Sequence, residues 1–345
     1  MVTKPVVAPK ILVVTPTLNE ASTIESVLRE LSVDLPRDGS VDFVVADGGS
    51  TDATCDMVRK LAVVRTDLRL IHNPKRRQGP GVNLAVELFG KDADILIRCD
   101  AHASYPPGFI RRLTESINQI GADSIVVPFD CVGKTCFQKA VAWVSNTAVG
   151  SGGAAHRGGR KSGFVDHGSP AAFRVGSFRK LGGYDESFTH NEDAELDCRQ
   201  IAQGGTIYLN ANIRLVYHPR ANALALWKQY FNYGRGRSRT IRRHSRSIRI
   251  RQVAVPAHLV FSSLCLLMAP FAPFLLLWPF LYTGILGATS VVTALRCRSA
   301  CGLLAGPAAF VMHTAWAIGF LFGMATHRQE SWKLVERTAG NDRVQ

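Results

Sequence analysis

The chain has 345 residues, 46% of them hydrophobic, with a formal net charge of +14 at pH 7. That length gives room for a catalytic domain with its own core and for a second, more apolar region. The charge fits nucleic acid, an anionic membrane face or a phosphorylated substrate. Its position favours the membrane over nucleic acid: Arg235, Arg237, Arg239, Arg242, Arg243, Arg246, Arg249 and Arg251 crowd just before the apolar last third. The eight cysteines form no C-x-x-C pair and no His-paired metal spacing, so they read as scattered buried thiols of a reducing compartment. Residues 1–10 contain no long apolar stretch, and a cleaved signal peptide is not expected.

In chain order, the first half alternates strand and helix. Residues 11–15 form a β-branched run that stops at Pro16, and Thr17-Leu18-Asn19-Glu20 turns into a helix starting near Ala21. Residues 41–46 are the second strand, ending in Asp47-Gly48-Gly49-Ser50-Thr51-Asp52, where glycines permit tight turning and a polar side chain can cap the next helix. Residues 69–72 are a third strand, 73–80 a basic loop and 81–89 a helix. Residues 95–102 are a fourth strand, an apolar run whose carboxyl end delivers Asp100 and His102. Period-two alternation would let Asp100 and His102 converge on one cation while Ala101 turns away. Open α/β sheets bind ligands at the carboxyl ends of their strands, so these strand ends predict one crevice.

Four stretches resemble the family 2 inverting nucleotide-sugar glycosyltransferases: Thr15-Pro16-Thr17-Leu18-Asn19-Glu20, Asp47-Gly48-Gly49-Ser50-Thr51-Asp52, the strand-end acid Asp100, and Glu192-Asp193. The resemblance spans residues 11–245 and implies the GT-A fold, an α/β architecture with a Rossmann-like mixed sheet and flanking helices. It implies that Pro16, Glu20 and Asp47 surround the base and ribose of a UDP-sugar, and a carboxylate can accept from an imide N–H or a ribose hydroxyl. Lys75, with Arg76 and Arg77, is either a diphosphate contact or part of a solvated loop, and Asp52 reads as a helix cap. The family's metal motif is Asp-x-Asp. Here His102 replaces its last acid, leaving Asp100 as the firmer ligand and the divalent cation open between Mg²⁺ and Mn²⁺.

Further on, residues 124–128 read as a strand and 137–149 as a helix. Residues 150–168 are rich in glycine and carry His156, Arg157, Arg160 and Lys161, so they read as an acceptor or phosphate lid, or as a plain surface loop. Glu192 and Asp193 open a helix running to about Gln203. Acids in a first turn commonly serve the helix dipole. The resemblance instead assigns Asp193 as the general base of a single in-line displacement, with Glu192 positioning the acceptor or the base. Residues 223–244 read as a helix lying at the membrane interface or packed on the catalytic domain. The Gln-x-x-Arg-Trp motif of processive relatives is missing there, against a cellulose-synthase-like polymerase.

Residues 253–294 hold no Asp, Glu, Lys or Arg, enough for two helices across a ~30 Å hydrocarbon core, broken near Pro270 and Pro273. Residues 302–326 are a third apolar stretch. The expected divisions are thus a catalytic domain over 1–222, an interfacial segment over 223–252, a membrane region of two or three transmembrane or re-entrant helices over 253–327, and a polar tail over 328–345. The arginine cluster puts the entrance on the cytoplasmic side of the inner (plasma) membrane, while the side of the tail stays open. The function expected from the resemblance is transfer of a sugar, glucose by likeness to the succinoglycan-biosynthesis type, from a UDP-sugar to a lipid-linked acceptor. Membrane lipids and polysaccharide-assembly proteins are the expected partners. The rival readings are a sugar nucleotidylyltransferase and a non-enzymatic basic membrane scaffold.

Overall fold

The computed structural model describes residues 8–152 and 159–326. Strands β1 (Lys10–Thr17), β2 (Ser40–Asp47), β3 (Leu68–His72) and β4 (Ile95–Arg98) run parallel in the order β3-β2-β1-β4. β1 and β4 are near-continuous apolar runs because helices cover both faces of the sheet. Successive residues feed opposite cores. Ile11, Val13, Phe43, Val45 and Ile97 pack with α1 (Ile24–Leu31), α2 (Thr54–Val64) and α4 (Phe109–Ile120), whereas Leu12, Val14, Val44 and Leu96 pack with α3 (Gln78–Phe89). Helix α3 begins before Pro80 because proline is tolerated in a first turn, whose N–H has no helical partner.

Beyond β4 the sheet turns mixed. Antiparallel β8 (Pro170–Arg174) pairs with both β4 and β5 (Ser124–Val126), and β9 (Ile207–Leu209) and β7 (Gly163–Val165) complete the eight strands. A small parallel pair joins β6 (Phe129–Cys131) to β10 (Leu215–Tyr217). The helix expected over 137–149 breaks at Asn146 into α5 (Cys136–Ser145) and α6 (Ala148–Ser151). Thr135 and Gln138 form a reciprocal cap that starts α5. Helices α7 (Val175–Lys180) and α8 (Glu192–Ala202) follow β8.

The last third consists of α9 (Ala223–Arg243), α10 (Ile250–Met268), α11 (Leu277–Arg296) and α12 (Ala305–Thr326). Among the described residues three segments are long and apolar enough to cross a membrane: Ile250–Met268, Pro273–Arg296 and Ala300–Thr326. The break between the first two falls at the prolines, as the sequence predicts. Helix α9 packs against α12 so closely that a Cβ on Gly234 would lie 2.1 Å from the Trp316 carbonyl oxygen, and one on Gly319 2.0 Å from that of Phe231. Such backbone approach needs glycine. An apolar contact between α9 and α12 that includes Leu226, Tyr230, Ala308 and Met312 joins the two segments on either side of residue 252. The cysteine expectation is corrected too: Cys136 and Cys301, with Cα atoms 5.0 Å apart, form a disulfide between α5 and the turn before α12. Sequence separation, 165 residues here, hides such a pairing.

Candidate active site

The first two loops at the strand ends interlock. Asn19 adopts a left-handed backbone (φ 58°), its N–H donates to Ser50 Oγ (2.8 Å), and its side-chain oxygen accepts from Thr51 N (2.8 Å). Asp52 accepts from Ala21 N across the gap (3.1 Å) and from Thr54 N at the start of α2 (3.0 Å), so it ties the loops as well as capping. Asp47 is buried. One of its oxygens accepts from Thr17 Oγ1 and Ser50 Oγ, the other from the Gly49 and Ser50 N–H groups. Burial alone would raise its pKa, but these hydrogen bonds hold it below the usual carboxylate value. A carboxylate has about four lone-pair sites. Asp47, expected at the nucleotide, accepts four hydrogen bonds here, three from Gly49 and Ser50 of its own turn and one from Thr17 of β1.

Two further expectations change. β4 ends at Arg98, so Asp100 and His102 lie in a turn closed by Ala103 N to Asp100 O (3.4 Å), where strand alternation no longer applies. His102 swings to Glu20, Nδ1 to Oε1 at 3.1 Å, instead of joining Asp100. Glu20, expected beside the base or ribose, is thereby a partner of His102, and Pro16 lies inside β1 rather than after it. Lys75, expected near the diphosphate, forms an ion pair with Glu186. Asn83 Nδ2 also donates to Glu186 (3.1 Å), and the two contacts hold that carboxyl low against its burial. Arg76 turns its Nε to the Gly48 carbonyl (3.2 Å).

The centre of the site is a residue the sequence reading did not single out. Arg98, only 8% exposed, forms an ion pair with Asp193, donates to Gln78 Oε1 (2.6 Å) and Tyr184 Oη (3.2 Å), and lies 3.6 Å from Asp100 Oδ1. It binds β4, α3, α8 and the segment before α8 into one cluster. The signal was available: an arginine closing an apolar central strand is almost never buried without acidic partners. Burial pushes the Asp193 carboxyl up to about 6; Arg98 opposes this, while Glu192 and Asp100 add to it. One turn along α8, the buried Asp197 accepts from Gly168 N (3.2 Å) and meets His167 Nδ1 (2.8 Å). His156 and Arg157 of the expected lid lie outside the described residues; Arg160 and Lys161 are exposed. Among the described residues no three His, Cys, Asp or Glu side chains are placed to hold a metal ion.

A parallel β3-β2-β1-β4 half-sheet with acids at its carboxyl ends, joined through antiparallel β8 to a half that supplies an acidic helix, defines a GT-A glycosyltransferase. Residues 12–182 match the glycosyl transferase family 2 profile. The chain is 42% identical over 313 residues to the succinoglycan biosynthesis protein ExoA of Rhizobium meliloti (strain 1021), covering 90% of this chain and 93% of that one. It is 24% identical over 247 residues to a dolichyl N-acetyl-alpha-D-glucosaminyl phosphate 3-beta-D-2,3-diacetamido-2,3-dideoxy-beta-D-glucuronosyltransferase of Methanococcus voltae, covering 68% and 74%. Among solved structures it resembles a mannosyltransferase from Pyrobaculum calidifontis in complex with GDP-Man and Mn²⁺, at a TM-score of 0.55 and 20% identity over 93% of this chain and 87% of that one, a likeness of fold. The chain belongs to glycosyl transferase family 2.

Proposed function

We propose that this chain is an inverting glycosyltransferase of the inner membrane, its catalytic domain cytoplasmic, that moves a sugar, glucose in our reading, from a UDP-sugar to a lipid-linked acceptor in exopolysaccharide or glycolipid assembly. The observation that carries the chemistry is the Asp193 carboxyl in the first turn of α8, paired with Arg98 and with its pKa pushed up by burial. A base of that strength is largely ionised at neutral pH yet accepts a proton more readily than an ordinary carboxylate. The 42% identity to ExoA, over an alignment covering 93% of that protein, supports the exopolysaccharide setting, and the apolar segments support the membrane.

In this reading Asp193 takes the acceptor hydroxyl's proton as that oxygen attacks the anomeric carbon and the nucleoside diphosphate leaves from the opposite face. Arg98 fixes the direction of the Asp193 carboxylate and restrains its pKa against burial. Asp100 and His102 would be the residues to hold a divalent cation, although His102 is turned to Glu20 here rather than beside Asp100. Asp100 is an oxygen donor with its side chain 32% exposed at the crevice. With the Nδ1 proton of His102 directed at Glu20, its Nε2 is left to coordinate, in the carboxylate–imidazole pairing that orients metal-binding histidines. A bound cation supplies positive charge against the departing diphosphate. Lys75, expected at the diphosphate, is paired with Glu186.

The test measures single-turnover transfer and UDP binding on one preparation of the full chain, after a screen of UDP-sugars for binding and hydrolysis. Asp193→Asn should lower turnover by about 10²- to 10⁴-fold, with UDP affinity within about twofold of the parent. Glu192→Gln should do less. Full activity in Asp193→Asn would remove the base from this site.

A further inference from the structure

Helix α12 is as long and apolar as a membrane span, yet its start is tied to α5 of the catalytic domain and its far end to α9, which is fastened to that domain. Just before it, Cys301 is bonded to Cys136 of α5. Near its middle, His313 Nε2 meets the Val149 carbonyl of α6 at 2.7 Å. At its far end the Met324 carbonyl accepts from Arg242, and Gly323 abuts Ser238 and Arg235 of α9. Helix α9 is itself fastened to the site: Thr240 Oγ1 accepts from Asn191 Nδ2 (2.7 Å), and Arg243 pairs with Asp185 and Glu195. A crossing helix has its ends ~30 Å apart along the membrane normal. Helix α9 runs beside α12 and carries Lys228, Arg235, Arg237, Arg239, Arg242 and Arg243, too many cations for the hydrocarbon core.

The α10–α11 hairpin is different. Only 11% of each of its apolar windows is buried, and its tip exposes Phe271 by 82% and Phe274 by 69%. Its base is again on the catalytic side. Arg237 donates to the Ser247 carbonyl (2.6 Å) and Gln252 Oε1 (3.0 Å) at the entrance, Arg251 donates to the Gly152 carbonyl (3.2 Å), and the exit leads to Cys301. The basic side chains at the entrance match anionic headgroups.

We infer that the lipid bilayer receives only the α10–α11 hairpin, which enters and returns on one side, while α12 lies along the membrane face of the catalytic domain without crossing. The half-exposed Leu303, Phe310 and Phe322 of this segment then sit at headgroup depth. Thr326, where α12 ends, then lies on the same side of the membrane as the active site.

The test uses the full chain with an epitope tag at each terminus, in sealed inverted membrane vesicles washed with alkaline carbonate. Trypsin added outside should remove both tags, and mass spectrometry of an untagged sample should find cleavage at Arg328, Lys333 or Arg337 without detergent. Protection of the C-terminal tag and tail until detergent is added, with the N-terminal tag cut, would mean three crossings and overturn the inference. Release of the chain by carbonate would overturn it as well, by showing that the hairpin is not inserted. Loss of activity on tagging would change neither reading, since the untagged sample reports the same cleavage.

Discussion

Replacing Arg98 by Met should displace the pH dependence of transfer. In the intact site burial raises the Asp193 pKa to about 6 while the Arg98 charge holds it down. Two opposite charges about 4 Å apart attract by ~4 kcal/mol at an effective dielectric constant of ~20. Arg98 divides its hydrogen bonds among Asp193, Gln78 and Tyr184 and also faces Asp100, so the share felt by Asp193 is smaller. An opposite charge at this range shifts a carboxylate by ~1–3 units, and taking ~2 units moves the base from about 6 to ~8. The ionised fraction at pH 7 then falls from about 0.9 to about 0.1, a roughly tenfold loss that should recover by about pH 9. The sign is fixed: activity depends on the deprotonated carboxylate, so it falls as pH drops through the pKa, and removing the cation moves that fall upward. Arg98→Lys keeps the charge and should leave the acid limb near 6 with a lower plateau. The assay is nucleoside diphosphate release from a UDP-sugar across pH 5–9, with thermal melting to confirm that each variant is folded. An acid limb unmoved in Arg98→Met, or a loss uniform across pH, would refute the reasoning.

Asp100→Asn should abolish metal-dependent UDP binding and transfer, whereas Glu20→Gln should weaken the metal response by about 10- to 100-fold through the freed imidazole of His102; titration of Mn²⁺ against UDP binding separates the two. Gly319→Val puts methyl groups where the Phe231 carbonyl lies, so it should lower the melting temperature of the whole chain, with a cost of ~1–3 kcal/mol typical of overpacking. A chain cut after His244 loses α12 from the apolar side of α9. It should aggregate or remain bound to detergent, and a monodisperse, UDP-binding product in plain buffer would count against the α9–α12 packing.

The parallel half of the sheet, the loops at its carboxyl ends and the apolar last third are legible in the residue pattern alone. Apolar runs, glycine turns and the arginine cluster are local signals, and each constrains its own few residues. What those residues meet depends on packing between elements far apart in the chain. His102 left the strand alternation because β4 ends four residues earlier, and Asp47 turned inward because four donors of Thr17, Gly49 and Ser50 were there for its carboxylate to accept from. Arg98 became the centre of the site because α3, α8 and the segment before α8 bring Gln78, Asp193 and Tyr184 to one guanidinium across gaps of 20 to 95 residues. Helix α12 looks like a membrane span in composition, and composition records only how apolar a surface is. Which solvent or helix covers that surface is settled by the glycines that let α9 reach it.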